Sequence, residues 1–221
     1  MKQLTSGLFA LMSLISFVNI ASGDLVITGV VDGPRTGGLP KAIELYALND
    51  IADLSIFNIE TPNNGGVASG SEFALSGSAS KGDYIWVSSD TPGFQAYFGW
   101  APTLVNAVAN INGDDNVILY KNGSVHDQFG VSGEDGTGTA WEYLDGFAYR
   151  KDFTGPDVSF AIGNWNFSGI DYLDSQGSSG VNGSGGKTVP FGTFTAVPEP
   201  TSAGLLALTG VAGLAFRRRR S

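Results

Sequence analysis

The chain has 221 residues, 21 acidic and 12 basic, with no cysteine and one histidine, which excludes disulfides, cysteine catalysis and His-rich zinc sites. Between Asp24 and Ala196 seven basic residues stand against 20 acidic ones, a net charge of −13. A field of that sign repels phosphate backbones and anionic lipid, so no role driven by charge attraction to nucleic acid or membrane is expected of this part.

In chain order, Met1 to Gly23 carries one cation, Lys2, then an apolar run from Leu8 to Val18, then Ile20-Ala21-Ser22-Gly23. This predicts a secretory signal peptide over 1–23, cut by signal peptidase after Gly23. The apolar run is well short of the roughly 20 residues a spanning helix needs. An exported chain without disulfides is held by its core alone.

Leu25–Val31 and Lys41–Leu48 are short and rich in β-branched or apolar residues, which predicts strands, the second with Ile43 and Leu45 or their alternates facing inward. The segment DYIWVSS (83–89) sets Tyr84, Trp86 and Ser88 on one face and Ile85 and Val87 on the other, a strand buried on much of both sides. One helix is predicted, in TPGFQAYFGW (91–100), with Thr91 as cap, Pro92 in the first turn, and Phe94, Tyr97 and Phe98 on one face. Val117–Lys121 and Val125–Phe129 meet at Asn122-Gly123, a hairpin signal because a type I′ turn needs positive φ at both central residues.

Short strands separated by Gly, Asn and Asp clusters predict an all-β antiparallel sandwich over 24–174. After Asp174 the text SQGSSGVNGSGGK reads as a flexible Gly/Ser linker (175–196), with TVPFGTFTA at its end as a last short strand or a spacer.

The end of the chain is different in kind. Val197-Pro198-Glu199-Pro200 cannot join a regular helix or strand and is expected to be extended. Thr201–Phe216 is a run of 16 uncharged residues, about 24 Å as a helix against a hydrocarbon core of ~30 Å. Arg217, Arg218, Arg219 and Arg220 follow, a cluster that snorkels into cytoplasmic headgroups and leaves the body outside.

This order of motif, short transmembrane helix and arginine cluster resembles the PEP-CTERM sorting signal of Gram-negative bacteria. The resemblance implies that an exosortase, a membrane cysteine-type transpeptidase, recognises residues 197–221 and removes them. The inner-membrane anchor is then transient, and the body ends at the cell surface or outside the cell.

A second resemblance runs through the body. LVITGVVDG, KAIELYAL, ADLSIFNIE, FALSGSASKGDYIWVSS, INGDDNVILYKNGSVHDQFG and the late AYRKD resemble, in order, the lamin-tail domain. That implies an immunoglobulin-like β-sandwich, found in bacteria mostly as an accessory module. The sequence departs from the pattern at Thr61–Gly70 and Ser132–Thr139, where Gly-rich loops are long.

Few constellations carry chemistry. His126 lies beside Asp127 and two residues from Ser124, with no oxyanion hole or orienting carboxylate implied, so it reads as a satisfied edge histidine. Asn112, Asp114, Asp115 and Asn116 offer hard oxygens that calcium accepts. The EF-hand register fails, with Leu119 where Gly is needed and Val125 where Glu is, so the bland reading is a polar turn. Glu134 and Asp135 are weaker still. Trp100, Trp141 and Trp165 read as core before they read as a sugar-stacking platform.

The expectation is an exported, non-catalytic module for adhesion or extracellular-matrix association, with extracellular polysaccharide as partner and no required cofactor. The alternatives are a secreted hydrolase acting on matrix polysaccharide or nucleotides, through a carboxylate pair, and a calcium-dependent structural protein.

Overall fold

The computed structural model describes residues 24–174, 181–182 and 184–198. The predicted signal peptide, the apolar run 201–216, Glu199, Pro200 and the four arginines lie outside them. No helix among the described residues is long and apolar enough to cross a membrane.

The described chain forms strands β1 (Leu25–Arg35), β2 (Leu39–Ala47), β3 (Phe57–Glu60), β4 (Phe73–Ala74), β5 (Tyr84–Ser88), β6 (Leu104–Val105), β7 (Val117–Lys121), β8 (Ser124–Phe129), β9 (Phe147–Arg150) and β10 (Trp165–Phe167), with one α-helix, α1 (Thr91–Phe98). One sheet runs β10-β9-β1-β2-β5-β6 and the other β4-β3-β7-β8. Pairing is antiparallel throughout except between β5 and β6. The fold is thus an all-β sandwich, as expected.

Alternation places the core. Leu25, Ile27, Ile43, Leu45, Ile85 and Val87 of the larger sheet face Phe57, Ile59, Val117, Leu119 and Phe129 of the smaller one, all buried. The hairpin forms as the Asn-Gly signal predicts, with φ of 50° at Asn122 and 78° at Gly123 and Lys121 opposite Ser124. The register then slips, so that Leu119 faces Asp127 and Tyr120 faces Val125. His126 is the unmatched residue of this bulge.

The alternate face of the larger sheet is also buried, and this makes the sandwich three-layered. Val26, Val31, Ala42 and Tyr149 pack under Phe94, Tyr97 and Phe98 of α1 and under Leu173, Val189, Phe191 and Phe194. Two sequence expectations change here. The cap of α1 is Asp90, whose carboxylate accepts from Gly93 N–H at 2.6 Å, because Thr91 is already helical. TVPFGTFTA is neither a strand nor a spacer. It lies as an irregular strap on the outer face of the sheet, held by its aromatic side chains.

Candidate functional site

The two ends of the sandwich differ. At the end where β1 runs out, Lys41 Nζ donates to Asp32 Oδ1 at 2.8 Å, to Ile111 O at 2.7 Å and to Asn112 Oδ1 at 2.8 Å. All three ammonium protons are used, and the loop INGDDN is tied to the sheet. Asp115, buried, accepts from Asn112 N–H at 2.7 Å and from Asn64 N–H at 2.8 Å. Burial pushes its carboxyl up, against the pull of those two N–H groups. Of the four oxygen donors singled out in the sequence, only Asp114 Oδ1 and the Asn116 amide have no internal partner. A cation at this turn would find two free side-chain oxygens, where calcium takes six to eight.

The loop SGEDGTG packs on the same turn. Gly136 N–H donates to Asp114 O at 3.0 Å, and Thr137 Oγ1 to Asp114 Oδ2 at 3.0 Å. Gly113 admits the neighbouring segment, since a Cβ there would stand 2.0 Å from Leu144 Cα. That segment brings Asp145 beside Asp171 and Asp174, one carboxylate oxygen of each lying within 4.8 Å of the others. Burial, with Asp32, Asp174 and Asp171 adding repulsion, pushes the Asp145 carboxyl up. This end is therefore a concentration of acidic loops, with Asp145, Asp171 and Asp174 as the residues that could gather on a metal.

Elsewhere the singled-out residues are structural. His126 Nε2 lies 2.9 Å from Leu25 O, and its ring meets Phe57 edge-on. Burial lowers its pKa. Trp141 and Trp165 are buried in the main core, and Trp100 packs half-buried beside Phe98.

Two buried constellations were not read from the sequence. In the first, Arg150 and Asp127 form a fully buried pair, with Arg150 Nη2 2.7 and 2.8 Å from the two carboxylate oxygens. Strand β9 pairs β1 only from Gly29 to Val31. Beyond that point the backbone groups of Ile27 are taken by side chains, its N–H by Asp127 at 2.7 Å and its C=O by Arg150 Nε at 2.6 Å. The pair thus joins β8 of one sheet to β1 and β9 of the other. Burial pushes the Asp127 carboxyl up to about 6, against the pull of Arg150 and of the N–H groups of Asp157, Ile27 and Gln128.

In the second, Glu44, fully buried on β2, collects four donors: Thr28 Oγ1 at 2.8 Å, Tyr149 OH at 2.9 Å, Trp86 Nε1 at 2.8 Å and Gly192 N–H at 2.6 Å. The last belongs to the strap. Three further bonds fix it to the body: Tyr84 OH donates to Phe194 O at 2.8 Å and Thr193 N–H to Tyr149 OH at 3.2 Å, both on the sheet, and Thr195 N–H to Asp152 of the loop after β9 at 2.7 Å.

Burial raises the Glu44 pKa from 4.5 to about 7 despite these donors. A carboxyl that titrates higher in the folded state binds a proton the unfolded chain has released, so its stabilisation is present at acid pH and lost as pH rises toward 7. The loss approaches about 3 kcal/mol at roughly 1.4 kcal/mol per unit. The difference in melting temperature between wild type and Glu44→Gln is expected to change steadily from pH 5 to pH 7.5, with the wild type losing ground; a constant difference would refute this.

The strap ends at the opposite end of the sandwich from the acidic loops. Phe194 packs edge-on against Tyr46, which pairs with Val26 near the start of β1, whereas Asp32 lies about 20 Å further along that strand at ~3.3 Å per residue. Val197 follows, exposed, and Pro198 is the last described residue. The sorting motif therefore emerges directly from the folded body.

Comparison of the chain with characterised proteins and with solved structures gives no match. Residues 196–220 match the PEP-CTERM protein-sorting motif, so the chain carries a signal that implies an exported protein sorted at the membrane by an exosortase.

Proposed function

We propose that the folded body is a lamin-tail-like, immunoglobulin-like module without catalytic activity, which the sorting signal delivers to the outside of the cell for adhesion or association with extracellular polysaccharide. The observation that carries this reading is the sorting motif at 196–220 following directly on a closed body. On this reading the inner-membrane anchor is temporary, and exosortase processing in Val197–Pro200 leaves the body attached to the surface or released. Placement of the acidic loops at the end away from the motif supports their presentation to the surroundings. The buried acids Glu44, Asp127 and Asp115 support a structural use of carboxylates, since each accepts from internal donors.

The test is retention of the purified body, residues 24–196, on the extracellular polysaccharide of the producing cell, with and without calcium, while the supernatant is assayed for new reducing ends. Retention without release is expected. Release of reducing ends would replace the module by a hydrolase, and failure to be retained would remove the matrix role.

A further inference from the structure

The tether between body and membrane is short. Thr195 is fixed to the body through both backbone groups, its N–H to Asp152 Oδ1 at 2.7 Å and its C=O to Phe153 N–H at 2.8 Å. The uncharged run begins at Thr201. Six residues extend at most about 21 Å, and the polar region on one side of a bilayer takes up roughly 5–7 Å of that. While the tail is in the membrane, the exit end of the sandwich is therefore within about 15 Å of the headgroups and cannot turn away.

Among the polar groups of this end stands an exposed aromatic side chain beside the exit. Phe153, whose N–H binds Thr195, is 58 % exposed and is held at φ 62°, a left-handed conformation unusual for a bulky side chain. The same loop carries Val158 at 69 % and Ile162 at 43 % exposure. It is one unit: Lys151 Nζ donates to Gly163 O at 2.8 Å, Lys151 N–H to Asn164 O at 2.8 Å, and Asn164 Nδ2 to Asp157 at 2.7 Å. Asp157 N–H in turn donates to the buried Asp127 at 2.8 Å. The middle of the loop thus runs along the flank of the sandwich, with Asp157 on the inter-sheet ion pair, Phe160 against Phe129 and Trp141 and Val158 between them, while Ile162 lies next to Gly163, which Lys151 holds near the exit. Nothing in the core needs Phe153 exposed in a strained backbone, whereas an interface of water and lipid does reward an aromatic side chain with a cation, here Lys151, beside it.

We propose that the exit side of the loop 151–164 is a membrane-seating surface: while the chain is anchored, Phe153, with Ile162, rests in the lipid interface beside the exit of the sorting motif. This rests on the sorting reading of residues 196–220. Charge does not drive the contact, since Asp24, Asp83 and Asp152 lie at the same end. The tether does, because it raises the local concentration of the interface so that a weak apolar contact is occupied. Seating would hold Val197 to Pro200 at the headgroup level, where a membrane-embedded transpeptidase can reach them.

The chain has no cysteine, so single cysteines can carry an environment-sensitive fluorophore. Full-length protein with the label at Phe153→Cys, at Ile162→Cys or, as the distant reference, at Ser132→Cys is reconstituted into phosphatidylethanolamine/phosphatidylglycerol vesicles without exosortase, and flotation confirms anchorage. Labels at 153 and 162 are expected to shift to the blue and to lose most of their emission to brominated lipid, and the label at 132 to do neither. A protein that floats while the labels at 153 and 162 are as wet as that at 132 overturns the seating surface and leaves the sorting reading intact. A protein that does not float overturns both. Shielding that arises only in vesicles containing exosortase would make the surface a protein contact and overturn the lipid assignment.

Discussion

Replacing Arg150 by alanine is expected to lower folding stability by about 3–5 kcal/mol, the cost of leaving one member of a buried ion pair without its partner. The residue is saturated: two bonds to Asp127, one from Nε to Ile27 O, one from Nη1 to Gly155 O at 2.7 Å, and its guanidinium 4.6 Å over the Trp165 ring. Alanine strands the Asp127 carboxylate in the core, frees the buried Ile27 carbonyl without water to meet it, and opens a void on Trp165. For a domain of this size the loss lowers the melting temperature by roughly 10 °C. Urea unfolding is the measurement, with the midpoint expected to fall at constant slope.

The double variant Arg150→Met with Asp127→Asn is expected to recover part of the loss, since the amide removes the stranded charge while its oxygen still accepts from backbone N–H groups that Asp127 served. A loss below about 1 kcal/mol in Arg150→Ala would mean that the pair is no more than a surface ion pair is.

Why this pair escaped the sequence, while the hairpin next to it did not, comes down to range. Asn122-Gly123 dictates its own φ values, so the turn and the strands it joins are local properties of a few residues. Asp127 is 23 residues from Arg150 and in the other sheet, and nothing in HDQFG says that the bulge at His126 will bring the aspartate inward. The strands β1, β2 and β5 were legible because their apolar runs are continuous, and the both-sided burial of β5 was legible with them. The cover on the second side was not. The strap is a short run of Thr, Val, Pro, Phe, Gly and Ala without period, and its partners on β1, β2 and β5 lie more than 100 residues earlier, as with Gly192 on Glu44 and Phe194 on Tyr84.

Composition misled in the same region. Gly-Ser text before Lys187 left TVPFGTFTA open as a last short strand or a spacer, yet three residues in ten, Val189, Phe191 and Phe194, are enough to dock it as neither. The sorting motif was legible, and residues 196–220 match it, because a peptide recognised by an enzyme in a membrane is recognised as sequence.

Phe191→Ala is expected to release that strap. The ring stacks on Phe98 with centroids 5.1 Å apart and planes 3° from parallel, and it lies on Gly29 so closely that a Cβ there would come within 2.6 Å of it. Glycine at 29 is what lets an aromatic ring reach the backbone of β1. Removing a buried Phe costs about 3–5 kcal/mol, but the strap is the last part of the fold and can open without the sandwich opening. The loss therefore falls mainly on docking: amide exchange at Gly192 and Thr195 is expected to quicken about a hundred- to a thousandfold, at ~1.4 kcal/mol per tenfold, while the amides of Ile43 and Val87 in the centre of the sheet keep their protection. Quickening of less than tenfold would show that Glu44 and the tyrosines hold the strap without the ring. Equal quickening in the sheet would show that strap and sandwich unfold together, and in that case the outer layer would be as much a part of the core as the inner one.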